Sequence, residues 1–287
     1  MTELATPELR TLTTGLGIGE SPRWHDGRLW FANWGAQEIV ALDAHGDREV
    51  VAKSPTPVGY SIDWLPDGRL LVTSEDRLLR QEPDGSLVTH ADLSELGAGW
   101  NEIVVDGRGN IYLNSVGFRF GVEEFRPGFL ALITPDGSVR KVAEDIAFPN
   151  GMVVTPDNAT LIVAESFASQ LTAFDIAADG SLSNRRVWAE HGGDGICLDA
   201  EGAIWCSDMA SGGARCSRVA EGGAVLDRIE LDQACFACML GGADGRTLFM
   251  MVADWQGVEN MGALLGGHTG QVLTAPAPVP GAGWPRS

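Results

Sequence analysis

Four polar residues stand at matching places in a repeating sequence: Glu20, Asn101, Asn150 and Asp194. Each precedes a short apolar run, and no His or Cys is among them. Two carboxylates and two carboxamides form an oxygen-only donor set. A hard divalent cation such as Ca²⁺ takes such donors, about six to eight in all, with water supplying some. Brought together out of water, the two carboxylates would repel unless a cation offset them. Taken singly, each has a plainer reading. Asn150-Gly151 and Asp194-Gly195 are turn dipeptides, and a lone Glu20 is a solvated carboxylate. Recurrence gives the set its weight, because the turn of each unit lies seven or eight residues further on.

Those turns define the elements that must carry the four residues. Anchored on Gly27, Gly68, Gly109, Asn158, Gly202 and Gly245, they recur at 41, 41, 49, 44 and 43 residues. Two further entries of the same shape lie near Ser61 and Cys238. Each unit reads as four short strands; the first spans Ser21–Trp24, Leu29–Asn33, Glu38–Leu42 and Arg48–Ala52. A repeat of this length, built of strands, predicts an all-β fold: a six-bladed β-propeller of four-stranded blades around a central channel. A β-sandwich would not predict the repeat. The whole chain, 1–287, is expected to form one domain. In such a ring the first strand of each blade lines the channel, so the four polar residues converge although they are far apart in sequence. Leu9–Thr14 is a candidate strand that would complete the last blade and close the circle.

Unit three carries an insertion, Gly117–Gly128, which is expected to be functional and to cover one mouth of the ring. Trp100, beside Asn101, is a candidate pocket wall. The other tryptophans read as blade packing. The tail beyond Ala275, rich in Pro, Ala and Gly, is expected to be extended and poorly ordered.

With 20 basic and 39 acidic residues the net charge is −19. That disfavours nucleic acid and anionic membrane partners, which need a basic face. The 37 glycines follow no three-residue period, which excludes collagen. No signal peptide or membrane span is evident. The five cysteines, an odd number inside apolar runs, read as reduced core thiols of a cytoplasmic protein. Cys235 and Cys238 have CxxC spacing but lack the second pair a zinc site needs. There is no GxSxG motif, no P-loop and no dinucleotide fingerprint.

Several segments taken together resemble the SMP-30/gluconolactonase/LRE-like family over about residues 15–275. They are Gly19-Glu20-Ser21-Pro22-Arg23-Trp24, Pro149-Asn150-Gly151-Met152, Glu165 to Asp175, Asp194-Gly195-Ile196-Cys197-Leu198-Asp199 and Phe236 to Gly242. The resemblance implies a six-bladed propeller with one divalent cation at the channel mouth, held by Glu20, Asn150 and Asp194, and a substrate-side amide at Asn101. Ca²⁺ is the expected ion, with Zn²⁺ or Mn²⁺ as alternatives. It also implies a metal-dependent hydrolase of carboxylic esters, a lactonase opening a small lactone. Sugar-lactonase members often carry Arg two residues before the substrate-side amide. Here that position is Gly99, followed by Trp100, which points to a less polar lactone or ester unless Arg119 or Arg126 supplies the charge. Asp194 is the expected general base, with Glu123 or Glu124 as weaker candidates. A monomer or small homo-oligomer is expected. The competing reading is a non-catalytic calcium- or small-molecule-binding propeller.

Overall fold

Apolar runs joined by two- to four-residue turns can only fold back on themselves. In the first unit Asp26 and Gly27 both take positive φ, 47° and 73°, and this two-residue turn matches the right-handed twist of the strands it joins. Repeated along the chain, the pattern gives six four-stranded antiparallel sheets arranged in a ring, a six-bladed β-propeller. The computed structural model describes residues 8–208 and 212–283.

Blade 1 contains Ile18–His25, Arg28–Trp34, Glu38–Leu42 and Arg48–Lys53, in that order from the channel outward. Blades 2 to 5 repeat the meander, with inner strands Ile62–Trp64, Trp100–Val105, Pro149–Val154 and Ile196–Leu198. Blade 6 is assembled from both ends of the described chain. Ala234–Gly241, Thr247–Ala253 and Gly270–Pro276 are completed on the outside by Arg10–Leu16. The expected closing strand is therefore present, pairing Arg10 with Thr274 and Leu16 with Gly270.

The core lies between blades rather than at the axis. Leu71, Leu78, Trp100, Ile103, Leu113 and Ala131 join blades 2 and 3. Tyr112, Leu130, Leu132, Leu161, Val163 and Phe174 join blades 3 and 4. Each fully buried aliphatic or aromatic side chain contributes about 1.5–3 kcal/mol of transfer free energy. Because every blade buries both faces, many strands read as continuous apolar runs rather than alternating ones.

One expectation changes, and one feature is new. The tail beyond Ala275 packs onto the ring as far as it is described: Ala277 and Val279 are buried, and Gly281 bridges to Asp199. Backbone hydrogen bonds from Ala277 to Arg246 and from Ala282 to Leu198 hold it there. Its last four residues lie outside the described residues. A second insertion, residues 254–269 in blade 6, is invisible in the turn spacing because it lies downstream of the last turn anchor. It includes a short helix, Met261–Gly266, whose Leu264 is buried with Ile18 and Ala253. Among the described residues no helix is long and apolar enough to cross a membrane.

Candidate functional site

Three inner strands carry a β-bulge at, or just after, the residue that the sequence singled out. In blade 1, Ser21 and Pro22 together oppose Phe31, just after the Glu20–Ala32 pair. In blade 3, Asn101 and Glu102 oppose Asn114. In blade 4, Asn150 and Gly151 oppose Ala164. An extra residue on one strand breaks the in–out alternation and re-aims side chains. Ser21 takes a left-handed φ of 51°, uncommon for a residue with a side chain. Asp194 sits just before the inner strand of blade 5, where Ser207 Oγ accepts its backbone N–H at 3.0 Å.

Hydrogen bonds across blade boundaries fix these segments to one another. Asn101 Nδ2 donates to the Pro149 carbonyl at 3.2 Å, and Asn114 Nδ2 donates to the Asn150 carbonyl at 2.6 Å. Gly151 N donates to the Asp194 carbonyl at 3.1 Å, and Gly195 N to the Phe236 carbonyl at 2.8 Å. The Asn-Gly and Asp-Gly dipeptides are thus close-approach points and not turns. A β carbon on Gly151 would lie 2.5 Å from Ile196 N, and one on Gly195 would lie 2.5 Å from Ala237 Cβ.

The electrostatics of this region are one-sided. Glu20, Asp63 and Glu102 are buried, at 9%, 1% and 5% exposure, and Asp194 is half-buried. Arg23 pairs with Glu102 at 3.1 Å, and Ser21 Oγ donates to the same carboxylate oxygen at 2.8 Å. Among the described residues neither Glu20 nor Asp194 has a cationic side chain in salt-bridge range. Burial pushes the Glu20 carboxyl well above the usual range, and the charges of Asp194, Glu102 and Cys235 push the same way against one backbone N–H from Ser21. Burial also raises Asp194 to about 7, with Glu102 adding to the effect and a hydrogen bond from Asn150 opposing it. Both shifts come first from burial, with neighbouring negative charge adding to it.

The structure thus brings Glu20, Asn150 and Asp194 into mutual influence. Asn150 Nδ2 lies 3.3 Å from Ser166 Oγ. Asn101 is half-buried on the neighbouring blade. Trp100 is 3% exposed and packs edge-to-face on Phe129 in the core between blades 2 and 3. Arg119 and Arg126 both bind Glu123, at 3.2 Å each, within the blade 3 insertion. That engages Glu123 and both arginines in the loop's own structure. Glu124 is exposed. Sequence reasoning missed Glu102, Asp63 and Asn114. The available signal was a charged or amide residue inside an apolar strand, as in Trp100-Asn101-Glu102-Ile103-Val104-Val105.

A hard cation fits this donor set. Among the described residues no three His, Cys, Asp or Glu side chains cluster with metal-ligating geometry; the oxygen donors of this region are the Glu20 and Asp194 carboxylates and the Asn150 amide. Some surface cavities lie away from these residues. One of about 480 Å³, lined by Thr155, Asp199 and Glu221, sits at the opposite ends of the inner strands of blades 4 and 5.

The family model described as SMP-30/Gluconolactonase/LRE-like region matches residues 18–254. The chain belongs to this family. Within the SMP-30/gluconolactonase group it is 26% identical over 258 residues to regucalcin of Xenopus laevis, covering 83% of this chain and 86% of that one. It is 24% identical over 214 residues to a pentonolactonase of Haloferax volcanii, covering 71% and 70%. Its fold is similar to that of a calcium-binding regucalcin from Agrobacterium tumefaciens, with a TM-score of 0.81, 24% identity and 99% of each chain covered.

Proposed function

We propose that this SMP-30/gluconolactonase family member is a divalent-metal-dependent hydrolase that opens a small lactone or related carboxylic ester. The observation that carries the proposal is the pair of carboxylates, buried Glu20 and half-buried Asp194, beside Asn150 with no cationic side chain in salt-bridge range among the described residues. Membership of a family whose members include a pentonolactonase supports the reaction class.

In this proposal Glu20, Asn150 and Asp194 hold one cation, Ca²⁺ by preference for the all-oxygen donor set. When bound, the cation supplies a Lewis acid that polarises the carbonyl and stabilises developing negative charge on its oxygen. The chain's own residues do the rest. Asn101, tethered through Nδ2 to the Pro149 carbonyl, presents its amide to the substrate. Glu102 and Arg23 hold the Ser21 segment, and with it the Glu20 backbone, in its bulged form. Asp194 takes the proton from the attacking water, a role suited to a carboxyl that titrates near neutrality. Ligation draws that basicity down, so ligand and base roles need separate tests.

Asp194→Asn separates them, because the amide keeps an oxygen ligand but cannot accept the proton. The expected outcome is a variant that still binds Ca²⁺ and loses at least about 100-fold in kcat, the usual scale of general-base loss. A variant fully active with the cation bound would remove Asp194 from the base role. Tight cation binding by the native chain without turnover of any sugar or aliphatic lactone would assign the chain to the non-catalytic binding reading.

A further inference from the structure

The blade 3 insertion is neither polar nor isolated. Its Phe118, Phe120 and Phe125 converge with Phe148 and Phe167 of blade 4 into one aromatic cluster. Phe120 and Phe148 have centroids 5.0 Å apart, Phe118 and Phe148 5.9 Å, and Phe125 and Phe167 5.4 Å. Phe148 and Phe167 stack at 4.6 Å with planes 16° apart. These two rings flank the candidate site in sequence and in space. Phe148 precedes Pro149-Asn150, and Phe167 follows Ser166, whose Oγ lies 3.3 Å from Asn150 Nδ2.

The same insertion reaches over the channel. Gly121 lies against Val258 of the blade 6 insertion, so closely that a β carbon on it would fall 2.7 Å from Val258 Cγ2. Blades 3 and 6 are opposite one another in a six-membered ring, so two loops that meet span the mouth between them. On the blade 6 side, Trp255 packs edge-to-face on Phe236 at 6.1 Å, and the Phe236 carbonyl accepts the hydrogen bond from Gly195. The loop has a defined internal structure, because Glu123 accepts from Arg119 N–H at 2.9 Å and pairs with both Arg119 and Arg126.

Much of this aromatic surface is uncovered. Phe120, Phe125 and Phe167 remain 37%, 47% and 52% exposed, and Val122 is 72% exposed. A cluster of this kind, rimmed by charged residues and continuous with a polar site, marks a ligand-contact surface.

We infer that residues 117–127 with Phe148 and Phe167 form a recognition roof over the site, and that the substrate is a lactone or ester bearing an apolar alkyl or aryl arm in place of sugar hydroxyls. This rests on the hydrolase reading above. The two arginines that could have met hydroxyl or carboxylate groups are engaged by Glu123, and Gly99 lies against Val116 and the Phe118 carbonyl. Phe148, two residues before Asn150, and Phe167, next to Ser166, stack on each other within this cluster.

The test is hydrolysis of γ-lactones with unbranched alkyl arms of increasing length, alongside a sugar lactone, in protein loaded with Ca²⁺. The roof predicts that kcat/KM rises about 4-fold per methylene while the arm is being buried, the transfer preference of a CH₂ group. Phe120→Ala/Phe125→Ala flattens that slope to less than about 2-fold per methylene, and Phe120→Leu/Phe125→Leu restores most of it. Val187→Ser, on the exposed outer strand of blade 4, leaves it as it was. A wild-type slope that is flat, or one that the double alanine variant leaves intact, overturns the roof while the hydrolase reading stands. If no lactone is turned over, the hydrolase reading fails, and the roof is then judged by calorimetric binding of alkyl lactams of increasing length. Affinity that grows with length and vanishes in the double variant supports it, and length-independent affinity overturns it. Concentration-dependent dimerisation that the double variant abolishes would also overturn it, by giving the rings to a second copy of the chain.

Discussion

Replacing Glu20 with Gln should move the metal-free and metal-bound proteins in opposite directions. In the metal-free chain Glu20 is 9% exposed, is repelled by Asp194 and Glu102, and gains only a backbone N–H in return. Removing the charge removes that penalty. The gain is about 1–3 kcal/mol, less than the full cost of burying an ion because the native group protonates instead of remaining charged. For a chain of this size about 2 °C of melting temperature corresponds to 1 kcal/mol, so the stripped variant should melt about 2–6 °C above the stripped native protein. With Ca²⁺ at about 1,000 times the native dissociation constant, the native protein gains about 4 kcal/mol, or about 8 °C. A variant that binds about 100-fold more weakly gains about 1.4 kcal/mol, or about 3 °C. The assay is thermal unfolding of chelator-treated protein, followed by circular dichroism, with and without added Ca²⁺. A stripped variant that melts below the native protein, and shows the native Ca²⁺ shift, would refute the reasoning.

The pH dependence of the stripped protein follows from the same groups. The folded chain holds the Asp194 proton up to about 7 against an ordinary 3.8, so it binds more protons than the unfolded chain in between. Stability from this source is fully present below pH 3.8 and is lost as pH rises through about 7. Melting temperatures of stripped protein across this range should therefore fall toward neutrality, and the Ca²⁺-induced shift should grow. Deleting the chain through Leu16 removes the outer strand of blade 6 and leaves an unpaired edge. That variant should melt at least about 10 °C lower or be recovered only as aggregate. Arg218→Met leaves Asp199, whose side chain is 0% exposed and pairs with Arg218 at 2.6 Å, without its counter-charge. Denaturant titration should show a loss of about 3–5 kcal/mol, partly recovered by adding Asp199→Asn.

The ring was legible because a propeller writes its period into the sequence as turns. Turns such as Asp67-Gly68, Asp157-Asn158 and Asp244-Gly245 close the first hairpin of each unit, and the spacing between them counts the blades. The closing strand was legible too, because a ring of blades gives a strand that precedes the first unit a place on the last blade. The fine aim of side chains was not. Trp100, Asn101 and Glu102 are consecutive, and alternation would send the outer two to the same face. The bulge opposite Asn114 sends Trp100 into the core and Glu102 to Arg23 and Ser21. Nothing local in the sequence marks such a bulge, since its cost is repaid by hydrogen bonds to other blades. The aromatic roof was hidden for a related reason: Phe118, Phe148 and Phe167 are brought together by the ring, and each alone reads as an ordinary apolar residue. The tail misled by composition. Its prolines and alanines suggested loose chain, but Ala277 and Val279 find apolar cover and the backbone finds partners on Arg246 and Leu198.

The central claim is that one cation, held by Glu20, Asn150 and Asp194, is required for lactone hydrolysis. The direct measurement is a calorimetric titration of chelator-stripped protein with Ca²⁺, with lactone turnover followed on the same samples. The account predicts one binding event per chain, recovery of turnover along the same saturation curve, and loss of the binding event in Glu20→Gln/Asp194→Asn. Full turnover by stripped protein, or a binding event untouched by that double variant, would contradict it.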